Sequence, residues 1–328
     1  MLLPATLLAA ATALLPACLS PHPPPPTHAA GESPAATAGF DGLWQTSFGR
    51  MRLRQDGAEV RGSYSYATGS RIEGEVEDRR LEFRYTEPAA AGEGWFELSA
   101  DGLSFAGQWR AEGADGWRGW SGTRVEPVPG RRWLVILEAD WEGSLAEEEY
   151  AFADMLESYF TMSSARHVEV RKRSFHDAAD LARWCAEVPY LAEPVVLLFS
   201  THGTDQGIAV GGHTIGPEAI ADAVRDCDNL LALHLSGCSM MKGPVPQQIL
   251  DHLPAGVSFP ISGYSTPVAW DASALADFVY LTFLLIRGLP PAEAVAQTHS
   301  MAPFTGEVRV AGGGFAPLGL DLLSPTTN

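Results

Sequence analysis

The chain has 328 residues, 46% of them hydrophobic, with 22 Lys and Arg against 40 Asp and Glu and a formal net charge of −18. That length accommodates one or two domains with well-filled cores. So large an acidic excess repels phosphate backbones and argues against nucleic acid as a partner, while leaving a basic substrate open.

Met1 to Ala17 is almost wholly apolar and leads into Cys18. Leu15-Pro16-Ala17-Cys18 resembles a bacterial lipoprotein signal, an apolar run and small residues before a cysteine that is acylated after cleavage. Residues 1–17 therefore read as a signal peptide. The expectation is an exported protein held at a membrane, in the periplasm or at the cell surface, by lipid on Cys18. An ordinary cleaved signal or a short buried helix is the plainer alternative. The longest apolar run near the C-terminus, Phe278 to Ile286, is far short of the about 20 residues a membrane helix needs. Residues 18–39 contain a proline run with Ala, Gly, Ser and Thr, and read as a semi-rigid tether. Besides Cys18 the cysteines are Cys185, Cys227 and Cys238. Cys185 and Cys227 either pair in an oxidising compartment or serve as small buried hydrophobes.

Residues 40–125 show short alternating runs separated by turn residues. The runs are Met51 to Gln55, Glu59 to Tyr66, Arg71 to Glu77, Leu81 to Thr86, Gly94 to Ser99 and Leu103 to Arg110. Asp56-Gly57 and Asp101-Gly102 are hairpin signals. Trp44, Trp95, Trp109, Trp117 and Trp120 are spaced as inward-facing residues. The pattern predicts a small all-β antiparallel domain closed as an up-and-down barrel, in a general way similar to avidin-type or calycin-type barrels.

Glu126 to Gly130 is a linker, and residues 131–328 alternate strand and helix. Predicted strands are Trp133 to Leu137, His167 to Arg171, Val195 to Ser200, Leu230 to Ser236 and Val257 to Ser262. Predicted helices are Glu147 to Phe160, Ala178 to Val188, Glu218 to Arg225 and Ala272 to Arg287. That order predicts an α/β domain with a mostly parallel sheet flanked by helices.

Sites in open α/β sheets form beyond the carboxyl ends of strands. Val195 to Ser200 runs into Thr201-His202-Gly203, and Leu230 to Ser236 runs into Gly237-Cys238-Ser239. Neighbouring parallel strands lie about 4.8 Å apart, which would bring an imidazole beside a thiol. An unperturbed thiol, with a pKa of about 8.5, is only partly ionised at neutral pH, so a thiol nucleophile needs such a base. Glycine beside each residue permits close approach of a substrate backbone. The amides of Gly203 and Cys238 are candidate oxyanion donors.

These two blocks resemble the caspase-fold cysteine peptidases, the group of caspases, metacaspases, legumain-like and gingipain-like enzymes. The shared pattern is an apolar strand ending in His-Gly, a hairpin and helix, then an apolar strand ending in a small residue and Cys. Here 36 residues separate His202 from Cys238. Gly207 to Gly216 reads as the hairpin and Pro217 to Arg225 as the helix. The resemblance covers residues 131–328 and none of the barrel. It implies a peptide or protein substrate, His202 as general acid/base, Cys238 as nucleophile and Gly203 as an oxyanion donor. Ser236 stands two residues before Cys238, where metacaspase-like patterns carry an acidic residue. Ser236 is a candidate substrate-pocket residue. So is Asp140, which with Glu138 ends the first strand of the domain; a solvated strand end is the simpler reading of both acids.

His234 lies within a strand and reads as structural, and His213 sits in the hairpin. Zinc-type cysteine spacing, a Gly-x-Ser-x-Gly elbow, a Walker loop and a dinucleotide fingerprint are all missing from the sequence, so neither metal nor cofactor is expected. The functional expectation is an exported caspase-like cysteine endopeptidase. The alternative is a non-catalytic envelope binding protein in which the barrel recognises a ligand and the α/β domain is scaffold.

Overall fold

The computed structural model describes residues 39–140, 151–163 and 167–325. The signal segment, Cys18 and nearly all of the tether lie outside the described residues. No helix among the described residues is long and apolar enough to cross a membrane.

Eight strands form the first domain: β1 (Gly42–Thr46), β2 (Gly49–Asp56), β3 (Glu59–Tyr64), β4 (Arg71–Glu77), β5 (Arg80–Glu87), β6 (Ala90–Leu98), β7 (Ser104–Ala111) and β8 (Arg118–Arg124). Each pairs antiparallel with the next, and β8 returns to β1 to close the barrel. Strands β1 and β8 are additions to the six runs expected from sequence. Both are too short or too rich in Gly and Arg to show clean alternation.

Aromatic side chains fill the barrel. Trp44, Tyr64, Phe83, Phe96, Phe105 and Trp120 are all buried there. Phe96 stacks on Phe105 with ring centroids 4.1 Å apart, and Trp120 meets Tyr64 edge-on at 5.1 Å. Two of the five tryptophans expected inside face outward instead. In β6 the inward positions are Gly92, Gly94, Phe96 and Leu98, so Trp95 points out, with the Arg80 guanidinium over its ring at 4.3 Å. Trp117 precedes β8 and is exposed beside Arg110. The phase is fixed by space: a Cβ at Gly94 would stand 2.4 Å from the Phe83 ring, so glycine there gives Phe83 its room.

The second domain runs β9 (Arg132–Ala139), α1 (Phe152–Ser163), β10 (Val168–Phe175), α2 (Ala178–Cys185), β11 (Val195–Ser200), β12 (His202–Thr204), β13 (Gly207–Val210), β14 (His213–Ile215), α3 (Pro217–Val224), β15 (Leu230–Ser236), α4 (Val245–His252), β16 (Ile261–Tyr264), α5 (Trp270–Leu281), α6 (Pro291–Ser300), β17 (Glu307–Arg309), β18 (Phe315–Pro317) and β19 (Leu320–Leu323). Six strands form a mixed sheet in the order β10-β9-β11-β15-β16-β19. All pairs are parallel except the last, β16 with β19.

Helices cover both faces of this sheet, which is why β11 is apolar and buried at every position. Val195, Leu197 and Phe199 face α2, α3 and α4, while Val196 and Leu198 face α1, α5 and α6. Asp177 caps α2 by accepting the Asp180 N–H at 2.9 Å. The strand expected over Val257 to Ser262 is shifted to Ile261–Tyr264. Pro260 lacks an N–H and delimits it, while its carbonyl accepts the Leu233 N–H at 3.0 Å. The long helix expected over Ala272 to Arg287 begins as α5 and passes into a π-helical turn over Thr282–Ile286. Part of the helix expected over Glu147 to Phe160 lies outside the described residues.

The barrel docks on the second domain through β2, β3 and β4. Arg52 and Arg54 both reach Asp228, at 3.2 and 2.8 Å, and Arg71 reaches Asp226 at 2.7 Å. The Tyr190 hydroxyl donates to Ser63 Oγ at 3.0 Å. The linker is pinned by buried Glu193, which accepts the Val128 N–H and the Trp133 indole N–H and pairs with Arg131.

Phe199 sits in the middle of the sheet with its ring fully enclosed. Phe199→Ala is expected to destabilise the domain by about 3–5 kcal/mol, through lost burial and the cavity left behind. Urea denaturation followed by far-UV circular dichroism checks this.

Candidate active site

Strands β11 and β15 are direct neighbours, and their register pairs Ser200 with Ser236. His202 and Cys238 each stand two residues past that pair, on the same edge of the sheet. The Thr201 N–H donates to the Ser236 carbonyl at 3.2 Å, which carries the contact beyond the regular ladder. Two glycines then let the chains touch. A Cβ at Gly203 would lie 2.4 Å from Met240 Cγ and 2.7 Å from the Cys238 carbonyl oxygen. A Cβ at Gly237 would lie 2.9 Å from the Thr201 carbonyl and 3.2 Å from the Gly203 amide nitrogen. Real Cβ atoms do not approach backbone so closely, so both positions require glycine. The structure thus brings the His202-Gly203 and Gly237-Cys238 segments together. The His202 residue is exposed and Cys238 is half-buried.

The turn that carries the thiol is held from one side. Ser239 has φ +60°, the left-handed region that disfavours residues with a Cβ. Its N–H donates to the Thr266 carbonyl at 3.2 Å, and the Met241 N–H donates to the Tyr264 carbonyl at 2.9 Å. The Cys238 thiol itself donates to the Val268 carbonyl at 3.4 Å. β16 and the segment after it therefore form a cradle for the turn that carries Cys238. The cradle is braced in turn by β17, since the Ala269 N–H donates to the Arg309 carbonyl at 3.1 Å. Partial burial pushes the Cys238 thiol above its ordinary pKa, only partly offset by the Val268 hydrogen bond. At neutral pH the resting sulfur is a neutral thiol.

The two low-lying candidates of the substrate pocket are placed differently. Ser236 is buried, and its hydroxyl donates to Asp277 Oδ2 at 2.5 Å, so it is turned into the protein beneath the rim. Asp140 lies at the end of β9, on the far side of β11 from Cys238, where its carboxylate meets His176 Nδ1 at 3.1 Å. Glu138, beside it, accepts the Ser200 hydroxyl at 3.0 Å and the Ala153 N–H at 3.1 Å, tying β11 to the start of α1. Cys185 and Cys227 are unpaired and fully buried, with the Cys227 thiol 3.5 Å from the Cys185 carbonyl. Burial pushes both thiols up. They are small core hydrophobes, the plainer of the two sequence alternatives.

Sequence reasoning did not find the group beneath the site. Asp277, in α5, is fully buried and receives Ser236, Tyr264 and His234. A signal was present: Asp277 is a lone carboxylate in the apolar run Leu275 to Ile286. His234, expected to be structural, is fully buried in that group.

No protein-family model matches the chain, and no curated protein does. Among solved structures the chain is similar to one titled "structure of pro-sf-caspase-1", with 13% sequence identity and a TM-score of 0.34. The match covers 59% of this chain and 91% of that one. A likeness of that size carries no weight on its own; the chemistry is read from the strand ends.

Because burial disfavours the thiolate, alkylation of Cys238 should not level off below neutrality. Its rate with iodoacetamide, followed by peptide mass, is expected to keep rising with pH through about 8.5, the ordinary thiol value. A plateau reached by pH 7 would show a preformed thiolate and contradict the neutral resting state.

Proposed function

We propose that this chain is a cysteine endopeptidase of caspase-like fold, exported and held at a membrane by lipid on Cys18. The observation that carries the reading is the glycine-mediated contact between the segments bearing His202 and Cys238 at adjacent strand ends. An exposed imidazole-bearing residue and a half-buried thiol that share one rim supply the parts acyl transfer needs.

The steps follow from those parts. His202 takes the thiol proton as the sulfur attacks the scissile carbonyl carbon. The carbonyl oxygen becomes an oxyanion that faces the amides of Gly203 and Cys238. The C–N bond then breaks, and His202 returns the proton to the departing amine. Water attacks the thioester, passing one proton through His202 to the sulfur, and the carboxylic acid leaves with the thiol regenerated. A neutral resting thiol makes His202 a general base, engaged when substrate arrives, in place of a standing ion pair. In this scheme the barrel, docked through its arginines on Asp226 and Asp228, is a recognition or regulatory module or a structural support.

A second reading is a non-catalytic binding protein, favoured by the engagement of the thiol with the Val268 carbonyl. One experiment separates the two. Hydrolysis of a peptide library by the wild-type chain is compared with Cys238→Ala and His202→Ala. The peptidase reading expects Cys238→Ala to lose at least about a thousandfold in kcat, and His202→Ala about 10²–10⁴-fold. Equal turnover by wild type and Cys238→Ala, or none by any of them, overturns it.

A further inference from the structure

The polar group beneath the rim has a shape that core packing does not require. Asp277 projects from α5 into the sheet, and neither it nor His234 has any exposed surface. Its carboxylate collects three partners from two strands. Ser236, the last residue of β15, donates to Oδ2 at 2.5 Å. Tyr264, the last residue of β16, donates its hydroxyl to Oδ1 at 2.5 Å. His234 Nε2 lies 2.9 Å from the same oxygen. A second ring of bonds steadies the imidazole: His234 Nδ1 is 2.9 Å from Ser262 Oγ, which is 3.0 Å from the Tyr280 hydroxyl. His234 and Ser262 are paired residues of the β15–β16 ladder.

Burying a carboxylate costs several kcal/mol unless it is fully hydrogen-bonded, and well-packed apolar residues would usually hold two strands to a helix as well. What an apolar core could not do is fix two strand ends against one point. Ser236 is two residues before Cys238. The Tyr264 carbonyl accepts the Met241 N–H, and the Thr266 carbonyl, two residues on, accepts the Ser239 N–H. Both walls of the nucleophile turn therefore run back to the same carboxylate. One wall is the strand that delivers Cys238, and the other is the cradle that holds Ser239 at its unfavourable φ.

We propose that Asp277 is the positioning residue of the Cys238 site, acting through Ser236 and Tyr264 to hold the nucleophile turn in register with His202. This rests on the peptidase reading for its catalytic consequence, but its structural content stands apart. Loss of either hydroxyl frees one wall, and loss of the carboxylate frees both. The turn then relaxes out of the left-handed conformation at Ser239, and the sulfur drifts from the imidazole. Substrate binding on the outer rim is untouched, so the damage falls on kcat and leaves KM alone.

The test uses the full-length chain and the variants Asp277→Asn, Tyr264→Phe and Ser236→Ala, with Ser236→Thr as the conservative rescue. Tyr280→Phe is the control, since Tyr280 is as buried but bonds only the outer ring. Native-state hydrogen exchange is read at the amides of Ser239 and Met241, whose acceptors form the cradle. Expected is a rise of at least about tenfold there in the first three variants, with exchange in β9 unchanged, and near wild-type values in Ser236→Thr and Tyr280→Phe. Peptide hydrolysis should show a matching fall in kcat with KM within about twofold. Unchanged exchange at Ser239 and Met241 in Tyr264→Phe and Ser236→Ala overturns the proposal. So does a rise spread evenly through the sheet, or one equalled by Tyr280→Phe. Should Asp277→Asn not fold, the two hydroxyl variants decide it. An inactive wild type with the expected exchange pattern would sink the peptidase reading alone.

Discussion

The site depends on a contact that only two glycines permit. Strands β11 and β15 run parallel, and parallel strands do not converge of themselves beyond their ladder. Past Ser200 and Ser236 the two chains nonetheless stay together, because Gly203 and Gly237 each remove a Cβ that would collide with the opposite backbone. The Thr201 N–H to the Ser236 carbonyl closes the gap. Whatever chemistry the rim performs, the segments that carry His202 and Cys238 are neighbours because of this packing. The rest of the domain supports it: two helical layers that bury both faces of β11, and a mixed sheet whose register sets His202 and Cys238 level.

The sulfur is held in reserve. Partial burial favours the protonated form at neutral pH, and the hydrogen bond to the Val268 carbonyl offsets it only in part. A site built in this way separates positioning from activation. Positioning is done in advance, by the cradle of β16 and the carboxylate beneath it. In the proposed reaction, activation waits for a substrate to displace the thiol from the Val268 carbonyl and present its proton to His202. The braces on that cradle come from far along the chain, through β17 and the pairing of Val268 with Val310, so the C-terminal segment belongs to the construction of the site.

Much of this was legible in the sequence, and for identifiable reasons. Strands buried on both faces announce themselves as continuous apolar runs, as Val195 to Phe199 and Leu230 to Leu233 do. Chemistry-bearing residues directly after such runs fall at a sheet edge whatever the details of packing. The barrel was visible through Asp-Gly turns and alternation, but its phase was not: Trp95 faces out because Gly94 and Phe96 face in, and alternation with glycine on the core side hides its sense. Proline displaced β16, which a run of apolar residues had drawn too early. The carboxylate hub was the largest omission. Asp277 meets Ser236 and Tyr264 only through three-dimensional packing, across separations of 41 and 13 residues, and no local pattern encodes that meeting. Ser236 shows the converse: the resemblance made its place two before Cys238 a pocket position, but its hydroxyl is taken up by the buried Asp277 carboxylate, a partner that only the packing of α5 brings to it.

The central claim is that positions 202 and 238 face each other across one narrow gap, and a covalent link measures that most directly. In a His202→Cys chain treated with a mild oxidant, a disulfide can form only if the two Cα atoms lie within about 7 Å and the side chains converge. The account predicts a cross-linked peptide joining positions 202 and 238, found by mass analysis and lost on reduction. Recovery of the two thiols separately alkylated, with no link between them after oxidation of the folded chain, would contradict it.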